Sequence, residues 1–149
     1  MNILDERIVK LERPVGFSIV AALLSLTAIG TVLFWALLFT NGNAMSELPS
    51  YQVWKRSFPL AEAWMALTAI TAAIGLLWMK DWGLLFGCLA GSALVFLGLA
   101  DVLFFMQNDL YMPLTADKAV QIAIHFWFLT FGPFVIAYLW GKRKWFFWT

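Results

Sequence analysis

Apolar residues in this chain come in long unbroken runs rather than in alternation with polar ones. Four such runs extend from Val15 to Phe39, Phe58 to Met79, Trp82 to Phe105 and Ala119 to Trp140. Each reaches the roughly 20 residues that a helix needs to cross a hydrocarbon layer about 30 Å thick. Continuous runs favour helices over barrel strands, which would alternate, and a spanning helix satisfies its own backbone groups. The pattern predicts an all-α integral membrane fold: one four-helix bundle occupying residues 1–149, with connectors too short for a second domain. Ahead of the first run, Leu4, Ile8 and Leu11 recur at helical spacing among charged residues, which predicts a short amphipathic segment lying at the interface.

Local signals mark the ends of the runs. Pro14 suits the first turn of helix 1, Ser57 and Pro59 the start of helix 2, and Thr115 with Asp117 a cap for helix 4. Only Lys80 and Asp81 separate the second and third runs, so these must form an antiparallel hairpin, flanked by the interfacial Trp78 and Trp82. Gly132-Pro133 interrupts the backbone ladder of helix 4 and predicts a kink there.

Composition agrees. Of 149 residues, 62% are hydrophobic and 13% charged, where soluble domains carry about 45–50% and about 25%. A net charge of +1 gives no field to hold nucleic acid, which excludes that class of partner. The lone Cys88 rules out an internal disulfide or a cysteine zinc cluster and reads as inert packing. Seven Lys and Arg lie at the two termini and the 2–3 turn, against Lys55, Arg56 and Lys118 on the other side. By the positive-inside rule both termini are then cytoplasmic, in a cell or plasma membrane, and the first run is too long for a cleavable signal peptide.

Among the 19 Asp, Glu, Lys and Arg, only Glu62 and Asp101 fall inside the runs, as does the single histidine, His125. Intramembrane ionisable groups cost about 2.5–3.5 kcal/mol at the bilayer centre and are a functional signal. Counting 1.5 Å per residue from the outer ends places all three about 6–9 Å below the non-cytoplasmic edge. Rotation places them on faces rich in small residues. Asp101 follows the stripe of Gly83, Gly87, Gly91 and Gly98; Glu62 shares a face with Ala66, Ala69 and Ala73; His125 with Gln121 and Gly132. Helix 1 offers Ser18, Ala21, Ser25, Ala28 and Ala36 as the matching stripe. Near the carboxyl end of its helix, with dehydrating neighbours, an ionised Asp101 is disfavoured unless a cation or His125 compensates.

These observations point first to a binding or transport bundle with an outer-leaflet polar pocket for a small cationic, proton-linked or amphipathic ligand. Glu62 and Asp101 would hold the ligand, Gln121 and His125 orient it, and Trp64 and Trp127 wall it. Two carboxylates with one imidazole are a poor match to zinc or iron donor sets, so neither a metal nor another cofactor is expected. A lipid-modifying enzyme using the carboxylates as acid and base, with His125 as proton relay, is the second class. The third is a non-catalytic accessory subunit, whose small-residue stripe would engage a membrane-protein partner or a second copy of the chain.

Overall fold

A computed structural model describes residues 13–41 and 53–146. Four long helices account for most of them: α1 (Val15–Asn41), α2 (Pro59–Leu77), α3 (Asp81–Gln107) and α4 (Ala116–Gly141), followed by a 3-10 turn at Arg143–Trp145. All four are long and apolar enough to cross a membrane. They coincide with the four predicted runs, each extending or retracting by at most three residues at an end. The amphipathic segment expected around Leu4, Ile8 and Leu11 lies outside the described residues.

Packing follows chain order. α1 packs on α2, α2 on α3 and α3 on α4, whereas α1 and α4 make no comparably close backbone approach. The glycines of α3 explain its central place. A Cβ on Gly83 would meet the backbone of Gly75 at 2.5 Å, and one on Gly91 would meet the Gly132 carbonyl at 2.8 Å. Small residues thus let α3 approach α2 with one end of its stripe and α4 with the rest. The α2 face of Ala66, Ala69 and Ala73 is buried, as the spacing requires.

The turn between α2 and α3 closes through a bond from the Lys80 amide to the Gly75 carbonyl, with Met79 in the left-handed region at φ 53°. Arg13 caps the same end from outside, donating from Nη1 to the Leu77 carbonyl at 2.7 Å. Thr115 accepts from the Lys118 amide at the start of α4, while Ser57 instead turns its hydroxyl back to the Val53 carbonyl and leaves the start of α2 to Pro59. α4 continues through Pro133 as one helix.

Exterior surfaces of the helices are strongly apolar. Leu60, Trp64, Leu67 and Ile74 form one exposed stripe of α2, and Ile29, Val32, Leu33 and Leu37 do the same on α1. Large apolar side chains thus cover the outside as well as the core, while small residues take the closest helix seams.

Candidate functional site

The chain just before α2 carries a lysine into the bundle. Residues 53–55 are helical, and a tight turn follows, closed by the amides of Ser57 and Phe58 bonding to the carbonyls of Trp54 and Lys55. Trp54 stacks on Phe104 of α3 at 4.6 Å between centroids and packs against Phe58 at 4.7 Å, which fastens the turn to the bundle. The neighbouring Lys55 is thereby directed inward and is 7% exposed.

Its ammonium meets the two acids singled out in the sequence. Lys55 Nζ donates to Glu62 Oε1 at 2.7 Å and lies 3.5 Å from Asp101 Oδ2. It also sits 5.3 Å above the Phe34 ring, a cation-π distance. The other oxygen of Glu62 accepts from Trp35 Nε1 of α1 at 2.7 Å. Glu62 and Asp101 are 4% and 7% exposed, so the cluster is withdrawn from solvent. One ammonium faces two carboxylates. Among the described residues of the cluster the formal charge, with all three ionised, is −1.

His125 is buried beside this cluster, within electrostatic reach of Asp101 and Lys55. Its direct partner is Tyr111 in the α3–α4 connection, whose hydroxyl lies 3.3 Å from Nδ1. Phe105 packs edge-on against the imidazole at 4.8 Å. Among the described residues His125 Nε2 is buried without a hydrogen-bond partner. Burial raises the Tyr111 phenol above its ordinary value, and the negative charge of Asp101 adds to the effect.

A cavity of about 350 Å³ opens alongside, between α1 and α4. Leu26, Thr27, Gly30, Thr31 and Phe34 form one wall; Gln121, Ile124, Trp127 and Phe128 form the other. Lys55 and Glu62 close its polar end. Trp127 Nε1 donates across the seam to Thr27 Oγ1 at 3.1 Å. Among the described residues nothing stands where a Cβ on Gly30 would point, so this glycine widens the cavity without a helix leaning on it.

Of the six residues expected to form a ligand site, Glu62, Gln121 and Trp127 line the cavity; Asp101, bonded to Lys55, and His125, bonded to Tyr111, are buried but do not line it. Trp64 does not belong. Its side chain is 51% exposed on the outward stripe of α2, because two residues from Glu62 is about 200° around a helix. On α1, Ala36 is exposed and Trp35 faces inward, another departure from the expected stripe. Lys55, Trp35 and Phe34 were not among the expected site residues. Among the described residues no three His, Cys, Asp or Glu side chains are grouped to hold a metal ion.

No protein-family model matches the chain, and no curated protein or solved structure matches it.

Proposed function

We propose that this is a multi-pass membrane protein, its termini on the cytoplasmic side, that binds a small amphipathic ligand in the cavity between α1 and α4. The single observation that carries this reading is an apolar cleft with one polar end, where the buried Lys55–Glu62 ion pair lies. A recess of this size falls at the lower end of ligand-site volumes, and apolar walls with a few convergent polar groups are their usual lining. The ligand's polar group would meet Glu62, Lys55 and Gln121, and its stem would lie on Trp127, Phe128 and Leu26. The exposed apolar exteriors of the helices support bilayer insertion, and the distribution of Lys and Arg supports its direction.

Binding comes before catalysis in this reading because both Glu62 oxygens already accept strong bonds, from Lys55 and from Trp35. Such a carboxylate serves better as a fixed polar anchor than as a mobile acid or base.

A photoactivatable long-chain alkanol, carrying a diazirine on its stem, tests the site in vesicles containing the protein. Saturable labelling confined to peptides spanning residues 26–34 and 121–128 is expected, and its loss in Gly30→Leu, which fills the recess. Diffuse, non-saturable labelling over all helix exteriors would refute the pocket. Orientation is tested in a Cys88→Ser background: Asp109→Cys should react with an impermeant maleimide added to intact cells, and Lys144→Cys should not.

A further inference from the structure

We infer that the ligand carries a positively charged amine and reaches the cavity sideways, from the lipid phase, through the seam between α1 and α4. The inference rests on the pocket reading above and specifies both the charge of the headgroup and the route of entry. The charge follows from the cluster. Lys55 is shared between two carboxylates and covered by Phe34, so that with all three ionised the described cluster carries a formal −1, on residues only 4–7% exposed. An ionised carboxylate offers about four acceptor positions, and Glu62 has two strong donors, Lys55 and Trp35. An ammonium entering along the cavity meets that remaining acceptor capacity. An anionic headgroup would meet Glu62 in the lining and a Lys55 ammonium already held by Glu62 and by Asp101 behind it.

The route follows from the packing. α3 draws α2 and α4 close through glycines, but α1 and α4 face each other across side chains, with Trp127 bonded to Thr27 in the cavity lining. Leu26 and Gly30 at this seam are exposed on the outer surface of the bundle, where an acyl chain would lie. About 350 Å³ is too small for a whole two-chain lipid. The recess therefore takes a headgroup and the first part of a stem, and the rest of the chain remains between α1 and α4 in the bilayer.

Competition against the diazirine alkanol in vesicles tests both parts. Decylamine should displace the label at about tenfold lower concentration than decanol, and decanoate should be the weakest of the three. Glu62→Gln and, separately, Asp101→Asn should erase the preference for decylamine while decanol still competes; size-exclusion profiles and circular dichroism verify that each variant is folded. Propylamine, which has no membrane-embedded stem, should compete poorly. Equal displacement by the three decyl compounds, or stronger displacement by decanoate, overturns the charge assignment while the pocket stands. Propylamine matching decylamine overturns entry from the lipid phase. Absence of site-specific labelling overturns the pocket and the inference together.

Discussion

Replacing Lys55 by Met removes the only ammonium bonded to Glu62 and Asp101 among the described residues, and keeps a side chain of similar length. At separations of 2.7 and 3.5 Å, and an effective dielectric of about 20, the two attractions amount to about 6 and about 5 kcal/mol before desolvation is subtracted. Desolvation offsets much of this in the intact site, but the variant leaves two uncompensated buried carboxylates. Breaking a buried pair by deleting one partner costs about 3–5 kcal/mol, the loss expected here. Unfolding in mixed micelles, with increasing dodecyl sulfate and circular dichroism as readout, should show a strongly lowered midpoint. The triple variant Lys55→Met, Glu62→Gln, Asp101→Asn should recover most of the loss, because no charge remains to be paired. A Lys55→Met midpoint equal to that of the unaltered protein would refute the buried-network argument. So would a triple variant no more stable than the single one.

Trp35→Phe should cost about 1–3 kcal/mol in the same assay, since Glu62 Oε2 loses its indole donor while staying buried. Gly132→Ala would place a methyl group 2.7 Å from the Gly91 carbonyl and should destabilise the α3–α4 contact by about 1–3 kcal/mol, whereas Gly30→Ala meets nothing and should be neutral or gain up to about 1 kcal/mol from helix propensity. In an alkaline titration followed by phenolate absorbance, the difference between the unaltered protein and Tyr111→Phe should place Tyr111 above the ordinary value of 10.0, and Asp101→Asn should bring it down. The folded-state value being the higher one, the neutral phenol's contribution to stability is fully present below pH about 10 and is lost as the pH rises through the raised value.

Glu62 and Asp101 were legible in the sequence because depth and rotation are both fixed by helical geometry: a carboxylate four residues inside a run, on a face of alanines or glycines, has one direction to point. Their cation was not legible, because hydropathy begins the second span at Phe58 and assigns Lys55 to a solvated connector. A cue was present. Lys55 and Glu62 are seven residues apart, within about 20° of one face if the helical sense of residues 53–55 carries through the turn, and Trp54 and Phe58 provide the apolar grip that holds the turn in place. The same geometry decides which residue continues the inward face of α1. From Ala28, a step of seven residues to Trp35 leaves the direction about 20° off, but a step of eight to Ala36 turns it by about 80°. Small size favoured Ala36; periodicity favoured Trp35, and the bond to Glu62 rewards the larger residue.

The cavity itself could not be read from any one helix, since it arises from unequal packing among all four. Glycines on α3 let both of its neighbours approach it, so α2 and α4 are positioned by backbone contact. α1 has close backbone packing with α2 alone, and its distance from α4 is set by side chains: Phe34, Trp127 and Phe128 hold the helices apart, and Trp127 reaches Thr27 at one level. Gly30 lies opposite that gap with nothing against it, so the glycine that would elsewhere draw two helices together here leaves room between them. The Lys55–Glu62 pair at the end of this opening, with Asp101 behind it, makes the recess polar at one end and apolar along its walls, the asymmetry on which the proposed binding of an amphiphile rests.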